Sequence, residues 1–583
     1  MTPGVAPPAS RVEAVWEVRR PDQTAVTVLR EALGLDGLTA TLLVNRRFSD
    51  PEEAKAFLQP RLSTLPDPSL MAGMDDAVTR ILAAIDGGEH ICVWGDYDVD
   101  GVTSASQLLA FFKSIGSPVH SFVPDRFRDG YGLNSDRIAE LAEGGLQLLI
   151  TVDCGISNAA EVAKAAELGV DVIVVDHHQV PETLPPAAAV LDPHQPGCPW
   201  PEKDLAACGV TWVLLVALRR ALRERGDFEG QSEPDLRDWL DLTAIGTVAD
   251  MVPLRGLNRV IVAQGLEQIA QTQRVGVQAL VEVSGLERDK ITAGRIGFHL
   301  GPRINAAGRV AHAAAGVELL TTADPKSARS TAKEIDTHNL ERRGLQEEVF
   351  QAACRIADAH PDPDSRRAVV VAHEGWHPGV LGIVASKLIE RYHRPTVVLT
   401  LEDGVAKGSA RSIRGFKLVS HLTALEDLLT KYGGHDHAAG MTLPADNVAA
   451  FTEALDARAR ETLSADQLRP RLSLDAEVPL DQVSFLLIED LKRLAPYGMG
   501  NPEPVLYATG VRVLEQRIVG ADKRHLKLTL DTGRQALGAI AFGMAPQAPP
   551  PGARVDVAYV PEINEYRGRR SLQLRIKAMR LSS

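Results

Sequence analysis

Three carboxylates crowd into one short stretch of this chain. Residues 92–104 read CVWGDYDVDGVTS, so Asp96, Asp98 and Asp100 alternate with Tyr97 and Val99 directly after an apolar run. Like charges this close disfavour one another's ionisation unless something positive sits among them. Three further apolar runs end on groups of the same kind. They are ITVDCG with Asp153, VVVDHHQV with Asp176, His177 and His178, and TAIGTVADMVP with Asp250. Carboxylates joined by one or two imidazoles, without thiolates, suit a hard or borderline divalent cation such as Mn²⁺ or Mg²⁺. Two such ions about 3.5–4 Å apart stabilise both the attacking and the leaving oxygen in phosphoryl transfer. Taken alone, DYDVD is more often a solvated turn or a calcium-type loop, and an HH pair is more often a surface or capping feature. The metal reading rests on the combination, because each of four separate apolar elements ends in such a group.

The elements that must position these groups follow a regular pattern. HICVWGD, LQLLITVD and VDVIVVDHH read as strands, and TSASQLLAFFKSIG and NAAEVAKAAELG between them read as helices. Strands alternating with helices at this spacing predict βαβ units and a parallel sheet. Open sheets of that kind place ligands at the carboxyl ends of their strands, where the acidic groups stand. Residues 266–350 read as mostly helical and end in a long charged helix. A second α/β pattern starts at AVVVAHEG and runs to about residue 460. Five strand-like runs follow Pro502, which predicts a small barrel.

The totals set outer bounds. A chain of 583 residues is too long for one core. Mean hydropathy is near zero, and no apolar run reaches the length of a membrane span. The N-terminal MTPGVAPPASRVEAVWEV lacks the pattern of a signal peptide and reads as a loose arm. Five scattered cysteines without a CxxC pair fit a reducing cytoplasm, and argue against a disulfide framework or a zinc ribbon. The net charge of −13 argues weakly against a nucleic-acid partner. Basic residues nevertheless gather near the end of the chain, at Arg517, Lys523, Arg524, Lys527, Arg567, Arg569, Arg570, Arg575 and Lys577.

The four acidic stretches GDYDVDG, TVDCG, VDHHQ and TVADMVP resemble the motifs of the DHH phosphoesterase superfamily. PDRFRDGYGLN, GPRINAAGRV, GWHPGVLGIVASKL, KGSARSIRGF and YGGHDHAAGM extend the likeness, in order and spacing, to the RecJ family of single-strand-specific 5′→3′ DNA exonucleases. That resemblance implies an α/β fold in five parts: an N-terminal arm (1–40), a parallel-sheet DHH catalytic domain (41–265), connecting helices (266–350), a DHHA1 substrate-binding domain (351–460) and an OB-like nucleic-acid-binding barrel (461–583). It implies two ions, Mn²⁺ or Mg²⁺. Asp100, Asp153, His177 and Asp250 would hold one; Asp96 and Asp98 would hold the other, with Asp153 bridging. His178, Asp153 and Asp98 would carry the catalysis, His178 facing the scissile phosphate as donor or acid. Small-substrate members of the superfamily carry a histidine where Trp94 stands here, and Asp96 replaces its function in the RecJ pattern.

Phosphate and DNA contacts are expected at Arg126, Arg128, Arg303, Asn305, Arg309, Ser409, Arg411, Gly433, Gly434 and His435. Glycines let backbone N–H groups approach a phosphate closely, and arginines interleaved with aromatics suit a single strand. Gly433–Gly434 could equally be a bare turn, and Arg303 and Arg309 could serve only in caps and surface ion pairs. A narrow cleft between two α/β domains would admit one strand and exclude duplex. The resemblance further implies a cytoplasmic monomer acting in repair and recombination on single-stranded DNA with a 5′ end, beside a single-strand-binding protein and a helicase. Two rivals remain: a phosphodiesterase for very short or cyclic nucleotides, which Trp94, Asp96 and the barrel argue against, and a catalytically dead scaffold, which intact acidic motifs argue against.

Overall fold

The computed structural model describes residues 12–124, 132–310, 314–360, 365–566 and 568–582, with the side chains of residues 309, 310 and 566 outside that description. The chain forms two compact units. One comprises Glu52–Leu340 and Leu494–Glu503, the other Pro3–Pro51, Glu341–Arg493 and Pro504–Ser583. No helix among the described residues is long and apolar enough to cross a membrane.

Strand β1 (Val15–Val18) belongs to the second unit and is taken up below. The first unit is built on β2 (Ile91–Gly95), β3 (Val119–Phe122), β4 (Leu148–Val152), β5 (Asp171–Val175) and β6 (Ala189–Leu191), in the order β3-β2-β4-β5-β6 and all parallel. Every residue of β2 and β4 is buried, as expected of strands covered on both faces. The pleat sorts them into two cores. Ile91, Val93, Leu148, Ile150, Val152, Ile173 and Val175 join the larger one, while Cys92, Trp94, Leu149, Val172 and Val174 join the other. This is the predicted parallel sheet.

Leu494–Glu503 packs within the first unit around Arg259, whose side chain is fully buried. The Arg259 guanidinium donates to the carbonyls of Phe57 (2.7 Å), Leu494 (3.1 Å) and Ala495 (2.7 Å), and lies 3.7 Å over the Phe57 ring. The Asn501 side chain donates to the carbonyls of Leu494 and Pro496, both at 2.8 Å.

A 34-residue helix, Pro325–Asp358, is the predicted long connector. The second α/β domain follows, with β7 (Val369–Glu374), β8 (Thr396–Glu402), β9 (Val405–Arg411), β10 (Lys431–Gly434) and β11 (Ala438–Pro444) in the order β10-β11-β9-β8-β7. Only β7 and β8 pair in parallel.

Beyond β12 (Arg471–Leu474) and β13 (Ala476–Glu477) lie β14 (Leu506–Val519), β15 (His525–Asp531), β16 (Ala536–Ala541), β17 (Arg554–Tyr566) and β18 (Arg569–Leu581). These last five are the strands expected after Pro502. The first half of β14 pairs with β17 and its second half with β15, with register shifts between Ala508 and Val511 and between Val513 and Glu515. Such bulges bend a strand, and here one strand reaches both edges and closes the five-stranded barrel.

The stretch read as a loose N-terminal arm departs from that reading wherever it is described. β1 pairs in parallel with β12 from Val15↔Arg471 to Val18↔Leu474. The helices Gln23–Leu33 and Gly37–Asn45 follow, capped by Asp22 and Asp36. The Asn45 side chain donates to the Asp475 carbonyl at 2.9 Å. A partner strand more than 450 residues away along the chain leaves no local signal, which is why composition alone suggested a free arm.

Candidate metal centre

Each acidic group owes its place to a local backbone device. After β2 the chain turns sharply into the helix Val99–Ser114. Gly101 makes that turn possible, because a Cβ there would meet the Asp96 backbone N and O at 2.5 and 2.4 Å. Asp98 caps the helix, its Oδ1 accepting from the N–H groups of Asp100 (2.9 Å) and Gly101 (3.2 Å). Asp100 lies in the first turn, buried, and accepts from the Ala207 and Cys208 N–H groups at 2.7 and 2.9 Å. Those amides open the helix Ala207–Arg225, so a carboxylate meets a helix N-terminus.

Asp153 follows β4 in the left-handed region, at φ 62°. That conformation is costly for a residue with a Cβ and marks a position held for a purpose. Asp176, His177 and His178 follow β5, and Asp250 caps the C-terminus of the helix Leu240–Ala249. The four stretches converge. His177 Nε2 lies 3.3 Å from Asp153 Oδ1, 3.7 Å from Asp250 Oδ2 and 3.8 Å from Asp100 Oδ2. Three groupings have ligand atoms within 4.8 Å of one another: Asp100, His177 and Asp250; Asp96, Asp98 and Asp153; and Asp153, His177 and His178.

Electrostatics mark the site as incomplete without cations. Burial, reinforced by Asp98, Asp100, Asp96 and Asp176, pushes the Asp153 carboxyl well above its usual range. Burial also raises Asp100 despite the opposing pull of His177. Burial and the Asp100 charge push Asp250 up to about 7. Asp153 Oδ1 and His177 Nε2 are buried and make no hydrogen bond. Buried polar atoms normally find partners, and these two lie 3.3 Å apart. The donor set fits a pair of divalent cations.

Asp176 stands apart. Its Oδ1 accepts from the His178 ring Nδ1 at 2.7 Å and from the His177 and His178 amides, and its Oδ2 accepts from the Ile156 amide at 3.0 Å. Burial alone would raise this carboxyl, but the His178 hydrogen bond and charge hold it below the usual range. Burial likewise opposes charge on His178, yet the bond to Asp176 and the carboxylates around it raise that imidazole to about 9. Asp176 therefore orients a ring that is 41% exposed.

Sequence reasoning passed over one neighbour. Asp192, directly after β6, is fully buried; its Oδ1 accepts from the His194 N–H at 2.7 Å, and burial, with Asp176 adding to it, pushes it up to about 7. The signal was present in VLDPHQ, another apolar run ending on an acidic residue with a histidine two positions on.

In the same unit Asn305 Oδ1 accepts from the Val99 N–H at 3.2 Å, tying its helix to the DYDVD turn. The Arg303 guanidinium is engaged by Asp336 (2.9 Å) and by the His299 carbonyl (2.8 Å) and is mostly buried. Arg126 and Arg128, and the Arg309 side chain, lie outside the described residues. In the second unit the register places Gly433, Gly440 and Ser409 in one row across β10, β11 and β9, with Arg411 at the end of β9. The helix Pro378–Tyr392 lies against Ser409 and Arg411: a Cβ on Gly382 would be 2.9 Å from Arg411 Nη2 and 3.5 Å from Ser409 Oγ. Gly434, at φ 138°, admits no other residue, since a Cβ would meet the Ala438 carbonyl at 2.3 Å. Gly433 and His435 are exposed. On the barrel, Arg517, Lys527, Ile540 and Arg575 form one cross-strand row.

Comparisons with known proteins place the chain by its domains and fold. Family models match as the DHH family N-terminal domain over residues 90–247, the DHHA1 domain over 365–461 and the RecJ OB domain over 474–578. The single-stranded-DNA-specific exonuclease RecJ of Bacillus subtilis is 39% identical over 566 residues, 96% of this chain and 70% of its own. That of Dickeya dadantii is 38% identical over 576 residues, 96% of this chain and 98% of its own. The crystal structure of RecJ in complex with Mn²⁺ from Thermus thermophilus superposes with a TM-score of 0.83 at 31% identity, covering 98% of this chain and 80% of that one.

Proposed function

The chain belongs to the RecJ family, and from that premise we propose a two-metal exonuclease that hydrolyses single-stranded DNA 5′→3′ to 5′-mononucleotides in DNA repair and recombination. The observation that carries this reading is the convergence of Asp96, Asp98, Asp100, Asp153, His177 and Asp250 from four separate elements onto one buried space, with Asp153 common to two of the groupings.

Asp100, Asp153, His177 and Asp250 are assigned to one Mn²⁺ or Mg²⁺, and Asp96 and Asp98 to a second, with Asp153 shared. Bound there, the ions supply a nucleophile at neutral pH and charge for the attacking and leaving oxygens. The protein's own residues do the rest. Asp98 holds the helix start with one oxygen and leaves the other for a ligand bond. Asp176 fixes the His178 ring through Nδ1, so Nε2–H is the atom presented to the transferred phosphate. There it donates a hydrogen bond and offsets charge in the transition state.

In the second unit Ser409, Arg411, Gly433, Gly434 and His435 are assigned to a phosphate of the strand. The glycine row leaves backbone unobstructed and the guanidinium supplies a charge-assisted donor. Arg126, Arg128, Arg303, Asn305 and Arg309 are assigned to further backbone contacts, with Arg303 requiring release from Asp336. The barrel is assigned to the single strand farther along. The same reading divides the chain near residues 40, 265, 350 and 460, and places the enzyme in the cytoplasm as a monomer beside a single-strand-binding protein and a helicase.

The test uses one DNA strand labelled at either end, with Mn²⁺, beside a blunt duplex. Immediate release of labelled mononucleotide from the 5′ label, a ladder from the 3′ label and an intact duplex are expected. Mononucleotide released first from the 3′ label would overturn the direction, and cleavage confined to two- to five-residue oligonucleotides would overturn the substrate.

A further inference from the structure

Asp100 and Asp250 belong to one grouping of ligands, yet they come from elements far apart in the chain. Asp100 is gripped by the amides of Ala207 and Cys208, which open the helix Ala207–Arg225. Asp250 ends the helix Leu240–Ala249, and residues 251–255 lead from it into the helix Gly256–Gln271. A small divalent cation holds its oxygens at short, fixed distances, so the spacing of the two carboxylates must itself be held.

Asn258 bonds the two segments to each other. It lies in the first turn of the helix Gly256–Gln271 and is 2% exposed. Its Nδ2 donates to the Asp204 carbonyl at 2.6 Å and to the Pro253 carbonyl at 3.1 Å. Asp204 stands three residues before Ala207, and Pro253 three residues after Asp250. Both partners are carbonyls, and an amide nitrogen has two hydrogens to donate. Asn258 Oδ1, by contrast, is buried and makes no hydrogen bond. An unpaired buried acceptor is destabilising, and an apolar side chain would avoid it. The amide is therefore explained by what its nitrogen holds rather than by packing.

The surroundings fix this junction from both sides. Gly256 sits against the first segment, since a Cβ there would meet Glu202 Oε2 at 2.1 Å. The second segment is backed by Leu494–Glu503. The Leu254 N–H donates to the Met499 carbonyl at 2.8 Å, and the Arg255 Nε to the Gly500 carbonyl at 3.1 Å. A Cβ on Gly500 would lie 3.0 Å from the Pro253 Cβ. Arg259, next to Asn258, holds the start of the same stretch.

We propose that Asn258 is a positioning residue for the metal centre. It sets the spacing of Asp100 and Asp250 through the backbone segments that carry them. The proposal rests on the assignment of both carboxylates to one cation under the nuclease reading. It makes one of the two cation sites depend on Asn258, because Asp96 and Asp98 are placed by the turn after β2 instead.

The test titrates the full chain with Mn²⁺ in the absence of DNA and follows the free ion by electron paramagnetic resonance. Asn258→Ala removes both donors, and Asn258→Ser does so while leaving room for a water. Leu280→Ala, elsewhere in the same core, is the control for lost stability. Supporting groups around a metal site typically change affinity by about 10- to 100-fold. Both Asn258 variants are expected to weaken one of two Mn²⁺ sites by that factor and leave the other within a few-fold of wild type. Their kcat should fall at low Mn²⁺ and recover as Mn²⁺ is raised, with KM for single-stranded DNA unchanged. Leu280→Ala should melt earlier and keep both affinities. If N258A does not fold, N258S carries the test. Wild-type Mn²⁺ affinity at both sites in the Asn258 variants overturns the proposal. So does equal weakening of the two sites, or the same loss in Leu280→Ala. A wild type that binds two ions but leaves single strands uncut overturns the nuclease reading and not the positioning role; a wild type that binds fewer than two ions overturns both.

Discussion

The acidic centre and the glycine–arginine site of the second unit solve opposite problems. The centre brings six candidate ligands together, and burial pushes Asp153, Asp100 and Asp250 upward in pKa. It is unfavourable by itself and waits for positive charge. The second site does the reverse: small residues on three strands clear a surface, Ser409 and Arg411 border it, and Gly433 and His435 stay open to solvent. One site needs its ligand to become stable, and the other needs only to stay accessible. Substitutions in the first should therefore act on the chemical step and on stability, and in the second on affinity.

The sharpest break is at Asp153. Asp153→Ala removes the carboxylate shared by two groupings and should lower kcat at least a thousandfold, about 4 kcal/mol, with DNA affinity within a few-fold of wild type; single-turnover cleavage and anisotropy measure the two. Asp176→Asn comes next. It keeps the shape but drops the charge that holds His178, and should cost roughly 10²-fold in kcat. It should also move the basic limb of the pH–rate profile down as the imidazole loses its proton earlier, whereas an unshifted limb would place that limb on another group. In the second unit, Arg411→Ala should raise KM about tenfold with kcat little changed, since a charge-assisted donor contributes roughly 1.5–3 kcal/mol; a fall in kcat alone would erase the contrast between the sites.

Metal removal sharpens the comparison through stability. Asp153, Asp100 and Asp250 have folded-state pKa values raised above their unfolded values. Their contribution is complete below the unfolded carboxylate pKa and is lost as pH rises through the folded values, about 7 for Asp250. His178, raised to about 9, loses its contribution in the same direction from neutral pH upward. The chelated protein should thus melt several degrees lower at pH 8 than at pH 5.5, and Mn²⁺ should restore most at pH 8. Calorimetry of the two forms decides it. The smallest effect is expected on the barrel, where Arg517→Ala with Lys527→Ala should reduce the slope of log K against log salt by about 1.4 and leave kcat unaltered.

The convergence of the four acidic stretches was legible in sequence because each follows an apolar run, and a parallel sheet brings strand ends together. The five barrel strands were legible for a similar reason, being alternating runs bounded by turns. What escaped was long-range or engaged in pairs. β1 acquires its partner at residues 471–474. Asp336, a third of the way along a charged helix, gives no hint that it holds Arg303. Asp192 follows a strand of three residues, too short to draw the eye although its motif matched the others.

The buried guanidinium of Arg259 has a consequence for how the molecule is made. Its carbonyl partners lie far apart in the chain: Phe57 is synthesised before it, but Leu494 and Ala495 only after the whole second α/β domain. At about 5–20 residues per second, the interval is roughly ten to fifty seconds. Throughout it the arginine must stay hydrated or be shielded, because an uncompensated charge in that core is costly. The first unit, though encoded early, therefore matures late. A nascent chain stalled before residue 494 would hold all of its proposed metal ligands and still lack the strap that closes its core.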